Sequence, residues 1–253
     1  MGSGVIKQGL TVGCAALLLA SVAGCASRDE AADVSQNRVA THCDGGSPSD
    51  PRSYYDSVEA IRKAPLLVVE PGSLAEALPG ADSVTIPQTG ELILSPWADV
   101  ALTGAITSVR PGNGYIYSTT DVGDAAEIVD FHDSRAVSRD VLVTIEQDWS
   151  EGAAVDQPID VRIGVLGGGD PDAFMDGLCG FHDHQVVAVL KHMENGPTAG
   201  DPLPIMQGGL LGTVEEDGSL SFPGLGEVEE TFIGQLDTVD ELKQAAREAA
   251  AKL

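Results

Sequence analysis

Apolar and polar positions alternate through much of this chain, and the alternation predicts strands. In residues 159–165, Ile159, Val161, Ile163 and Val165 are interleaved with Asp160 and Arg162, the period of a strand with one buried face. The same period places Val100, Leu102 and Ile106 together in 98–109, and Val141, Val143 and Ile145 together in 141–147. The run 185–190, QVVAVL, is almost wholly apolar, which predicts a central strand buried on both faces. The run 205–214 breaks at Glu216, Asp217 and Gly218 and resumes at Leu220 and Phe222, a hairpin pattern. Shorter candidates are a strand at 66–69 and a small hairpin formed by 83–86 and 92–94 about Thr89 and Gly90.

Helical signals sit at the two ends of this β-rich region. Asp56 followed by Glu59 resembles a capping box and predicts a helix over 57–63, ended by Pro65. Thr238 and Glu241 form a second box, after which Leu242, Ala246 and Ala249 fall on one helical face. Five main strands joined by turn-rich connections predict a small closed or half-closed barrel. Ahead of all this lies a different pattern. Lys7 supplies a positive start, residues 10–20 are apolar, and the small residues Val22, Ala23 and Gly24 lead directly to Cys25. The apolar run is shorter than the roughly 20 residues that span a bilayer.

The ending VAGC resembles the lipobox of bacterial lipoproteins. The resemblance implies that residues 1–24 are a signal peptide, that the chain is cut before Cys25, and that the Cys25 sulfur carries a diacylglycerol. The protein is then expected at the cell membrane, lipid-anchored and facing the extracytoplasmic side. Residues 25–52 are polar and read as a flexible tether. The strands at 98–109, 141–147, 159–165 and 185–190, in that order, resemble exported bacterial domains with OB-like, netrin-type barrels. The expected fold class is therefore mainly β. It is an OB-like five-stranded barrel over 53–235 with a short N-terminal helix, an inserted hairpin within about 65–96, and a C-terminal helix over 236–253. The resemblance carries no catalytic residues.

Composition narrows the partners. Lys and Arg number 14 against 39 Asp and Glu, a formal net charge of −25. Nucleic acid is excluded as a partner, since binding it requires a basic patch. Direct adhesion to anionic headgroups is disfavoured too, so a lipid anchor would hold the chain against its own repulsion. Of four cysteines, Cys14 leaves with the signal peptide and Cys25 is lipidated. Cys43 and Cys179 remain, and in an oxidising compartment they are expected to form one disulfide.

The usual enzymatic signatures are missing: no G-x-S-x-G, no P-loop, no H-E-x-x-H, no G-x-G-x-x-G opening a helix. No catalytic residue is assigned. The densest site-like run is 179–185, CGFHDHQ. On a strand, His182 and His184 would face the same side, and with His42 or a nearby cysteine they offer a zinc site as an alternative to a protein without cofactor. Asp170, Asp172 and Asp176 read as a solvated acidic loop, and His132-Asp133 as a pair with no nucleophile beside it. Trp149 reads as a cap on the core. The function expected is a non-catalytic binding or interaction module at the cell envelope, meeting an envelope protein or a small ligand. The alternative is a metal-binding lipoprotein using His182 and His184.

Overall fold

A computed structural model describes Cys43 and residues 51–63, 70–81, 84–88, 91–117, 126–166, 170–193 and 198–251. Cys25, His42 and the candidate strand at 66–69 lie outside the described residues. The fold is mainly β. One eight-stranded antiparallel sheet dominates, and its main path runs β10-β9-β7-β3-β5-β6, with β4 added to β3 and β8 added to β7. A separate hairpin pairs β1 (Val84–Gln88) with β2 (Glu91–Ser95), which is the hairpin the sequence predicts.

The organising element is β3 (Val100–Tyr117), 18 residues long. It pairs along one edge with β5 (Ser138–Gly152), and on the other edge first with β7 (Gln185–His192) and further along with β4 (Ala126–Asp130). Beyond β5 lies β6 (Ile159–Leu166). The outer edge of β7 is filled by β8 (Pro202–Pro204) and β9 (Leu211–Val214), two pieces separated by a 3₁₀ turn at Met206–Gly208. The predicted strand at 205–214 is therefore interrupted, and β9 continues through the expected turn into β10 (Leu220–Ser221).

The path ends at β10 and β6, which do not pair, so the sheet is not closed and the pairing falls short of the five-stranded barrel expected from the sequence. β8 does lie beside β6, with Cα atoms within 8 Å. That seam is bridged by side chains. Arg162 on β6 reaches Asp201, the residue before β8, through its Nε, and donates from Nη1 to both carboxylate oxygens of Asp140 on β5 at 3.0 and 2.9 Å.

Two cores lie on either side of β7. Val186, Ala188 and Leu190 point into one with Leu102, Ile106, Val143, Ile145, Val161 and Ile163, while Val187 and Val189 point into the other. The double burial foreseen for QVVAVL is thus real. The first core is covered by α1 (Arg52–Lys63) and α3 (Pro171–Cys179). Tyr54 and Tyr55 of α1 pack edge-on against Phe181 at 5.5 and 5.4 Å, and the buried Tyr54 hydroxyl donates to Gly208 O at 2.5 Å. Cys43 and Cys179 are bonded, with Cα atoms 5.4 Å apart, and tie the chain before α1 to the end of α3.

The second core is covered by α2 (Leu74–Ala77), α4 (Glu229–Ile233) and α5 (Val239–Ala250). The Thr238 and Glu241 box caps α5, whose buried face is Leu242, Ala246 and Ala249. Trp149 packs against this core with Lys243 of α5 over its ring at 5.6 Å. Two expectations need correction. α1 begins five residues before the predicted 57–63, so Asp56 lies inside the helix and is not a cap. Residues 171–179 are a helix, not an acidic loop. Asp170 caps α3 by accepting from the Asp172 amide at 3.0 Å, and Pro171 occupies its first position, where the missing N–H has no intrahelical role.

Candidate functional site

An open cleft of about 550 Å³ lies where β3 and β5 meet the turn entering β7. Gly104, Ala105, Glu146, Gln147, Asp148, His182, Asp183, His184 and Gln185 line it. Its floor is an irregularity in the sheet. Thr103 pairs with Trp149 and Gly104 with Gln147, so Asp148 is an extra residue on β5, a β-bulge. Gly104 makes this possible, because a Cβ there would stand 2.3 Å from Glu146 O. A side chain at 104 would force the two strands apart.

The bulge re-aims Asp148. Its carboxylate accepts from the buried Thr103 hydroxyl and from Gln185 Nε2 at 2.5 Å, which ties β5 to the first residue of β7. Gln147 beside it donates from Nε2 to Asp156 O at 2.6 Å, while its Oε1 is buried with no hydrogen-bond partner among the described residues. Glu146, Asp148 and Asp183 are exposed, so the cleft presents acceptors and negative charge to solvent. Such a lining fits a ligand that donates hydrogen bonds and carries positive charge.

The histidines are placed differently from the sequence expectation. His182 and His184 sit on the turn after α3, not on a strand, so the same-face argument for them fails. The turn is held by the His182 amide to Cys179 O at 3.1 Å and the His184 amide to Phe181 O at 3.0 Å. The His182 ring Nδ1 lies 3.2 Å from Ile106 O, and both imidazoles are exposed at the cleft rim. The Cys43 and Cys179 sulfurs are joined to each other, which removes both thiolates from any ligand set. Among the described residues no three His, Cys, Asp or Glu groups are grouped to hold a metal ion. His132 meets Asp172 at 3.1 Å across the surface rather than its neighbour Asp133, and Asp133 is ion-paired to Arg135 at 2.7 Å.

A second polar centre lies at the seam. Asp140 is buried and accepts from the Asn113 amide at 2.8 Å and from the Tyr115 hydroxyl, besides Arg162. Gly112 gives it room, since a Cβ there would fall 1.8 Å from Asp140 Oδ1. Burial, reinforced by the hydrogen bond to Asp140, pushes the Tyr115 phenol up to about 12, with Asn113 and Arg162 pulling the other way. Burial pulls Arg162 down, but the carboxylates of Asp201 and Asp140 outweigh it and its pKa rises. Every group in this centre is engaged by another, which marks it as a strut rather than a receptor for ligand.

Gln185 closes the site-like run 179–185, whereas no motif in the sequence singles out Thr103, Glu146 or Asp148. One signal was present: apolar alternation on β5 stops after Ile145, and Gln147-Asp148-Trp149 breaks the period where the bulge lies. The fold and cleft together define an extended β domain with an acidic open site. No protein-family model matches the chain, and no curated protein and no solved structure matches it. Among the described residues no helix is long and apolar enough to cross a membrane.

Proposed function

We propose that this protein is an exported lipoprotein, anchored to the extracytoplasmic side of the cell membrane through Cys25. Its domain acts there as a non-catalytic binding module, with the cleft at Asp148 as the ligand site. The observation that carries the reading is the bond between Cys43 and Cys179. Such bonds persist in oxidising compartments and are rare in the cytosol. A disulfide in the folded domain and the lipobox-like VAGC ahead of it therefore point to the same destination by independent chemistry.

The domain is best read as an OB-like barrel with an incomplete seam. Three strands adjacent in the sheet, β3, β5 and β6, with β4 inserted between the first two in the chain, are followed by α3, which leads to β7 on the opposite edge of β3 and then to β8 beside β6. That order supports the OB-like reading, with β8 and β9 as one interrupted fifth strand. The ligand favoured by Glu146, Asp148 and Asp183 is a small cation-bearing molecule. Zinc at His182 and His184 gains no support, since the cysteine donors are consumed.

Lipidation is tested by growing cells on radiolabelled palmitate and partitioning the protein between detergent and water. The native chain should carry label and enter the detergent phase. Cys25→Ser should carry none and remain uncleaved or appear in the aqueous phase. A Cys25→Ser protein that is mature-sized, labelled and detergent-bound overturns the anchor.

A further inference from the structure

We propose that the outer edge of β4 is a docking edge for an extended, cationic segment of another protein, added as a further antiparallel strand. This edge is distinct from the cleft at Asp148, and the proposal holds whether or not Cys25 is lipidated. Among the described residues β4 pairs with β3 alone. The direction of its free backbone groups follows from the register. Tyr115 O accepts from the Val137 amide at 2.9 Å, so the backbone N–H and C=O of Tyr115 face β5. Tyr115 and Ile128 are opposite one another, and they must form a pair that is not hydrogen-bonded. The N–H and C=O of Ile128 therefore point away from β3, into the open edge, where they offer one donor and one acceptor to an incoming strand.

The side chains around this edge are unlike the rest of the surface. Ile128 is 51% exposed and Tyr117 is 58% exposed. Both lie on the face of the arm that Tyr115 occupies, at diagonal positions across the β3–β4 pair. On the opposite face of β4 lie the exposed Glu127 and the half-buried Val129. An added strand alternates its side chains between two faces, and here it would meet the exposed Ile128 on one face and Val129 flanked by the Glu127 carboxylate on the other. The sequence AEIVD holds no lysine and no proline, and its Glu127 and Asp130 guard this short edge against acidic partners but not against a basic one.

Charge selects the occupant. Glu127 and Asp130 on β4 are exposed, and the nearby Arg135 guanidinium is already held by Asp133 at 2.7 Å. A second copy of this chain would bring its own −25 to the same edge, whereas a segment alternating apolar and basic residues satisfies both the side chains and the charge.

The test uses the full chain in neutral detergent and a fluorescent peptide of alternating valine and lysine, about six residues long, the length of a typical strand. Saturable anisotropy change is expected with this peptide and not with its valine–glutamate counterpart. Ile128→Pro deletes the outward amide while an edge position tolerates proline, and should weaken binding roughly five- to tenfold with little change in melting temperature. The pair Glu127→Lys and Asp130→Lys leaves the backbone edge intact and should reverse the preference toward the glutamate peptide. If Ile128→Pro melts early, this second variant decides. The proposal is overturned if the valine–lysine peptide does not bind, or if it binds with unchanged affinity after the charge reversal. A concentration-dependent dimer in sedimentation, abolished by Ile128→Pro, would assign the edge to a second copy of this chain and likewise overturn it.

Discussion

Replacing Arg162 by leucine should open the seam between β6 and β8, and the size of the effect follows from what is left behind. Arg162 Nη1 holds both oxygens of Asp140, whose side chain is 7% exposed, and its Nε holds Asp201. Removing one partner of a buried ion pair costs about 3–5 kcal/mol, because the other charge stays buried without compensation. Here two donors remain on Asp140, the Asn113 amide and the Tyr115 hydroxyl, and Arg162 itself is one-fifth exposed. These reduce the expected loss to about 2–3 kcal/mol. For a domain of this size each kcal/mol moves the melting temperature by about 2–4 °C, so Arg162→Leu should melt about 4–12 °C below the native protein. Differential scanning calorimetry measures this directly. The second arm is the double variant Arg162→Leu with Asp140→Asn, which removes the stranded charge and keeps its volume. It should recover about half of the loss. A single variant within about 1 kcal/mol of native, or a double variant at least as unstable as the sum of the two singles, would refute the idea that Arg162 neutralises a buried charge on β5.

Two further perturbations probe the same fold. The bond between Cys43 and Cys179 closes a separation of 136 residues, for which chain entropy implies about 4–5 kcal/mol, so reductant should lower the melting temperature clearly while a chelator leaves it unchanged. Destabilisation by chelator alone, with two free thiols titrating in the untreated protein, would replace the disulfide by a metal site. The second perturbation is alkaline pH. Tyr115 has its folded pKa raised to about 12 from 10, so the unfolded chain loses the proton first and stability should fall as pH rises between about 10 and 12. Urea midpoints for the native chain and Tyr115→Phe should converge across that window, and parallel curves would contradict the assignment.

What could be read from the sequence alone is local. Period-two alternation in β6 and the face Val141, Val143, Ile145 in β5 are consequences of a backbone whose side chains alternate, so they survive without knowledge of partners. The all-apolar run of β7 announced burial on both faces, and the Thr238 and Glu241 box announced α5, because capping satisfies amides within one turn. The pairing of Cys43 with Cys179 followed from the two being left over once Cys14 and Cys25 were assigned, and the packing of α1 against α3 brings that end of α3 to the chain before α1. Position in space was another matter. The helix α3 is masked by Asp172 and Asp176 within it and Asp170 before it, whose acidity reads as a loop until Asp170 is recognised as a cap. β4 has no strong alternation of its own and exists because β3 runs past β7 and offers an edge. The strand at 205–214 was interrupted because 206–208 turns back so that Gly208 O can receive the buried Tyr54 hydroxyl, a contact spanning 154 positions. The cleft depends on one extra residue at Asp148, and whether β5 holds a bulge there is decided by the register of β3 and the lack of a side chain at Gly104. The seam likewise depends on long-range geometry, since nothing near Arg162 in sequence names Asp140 or Asp201 as its partners. Local chemistry is written in neighbouring residues, whereas register, closure and site are set by contacts between segments distant in the chain, which only tertiary packing selects.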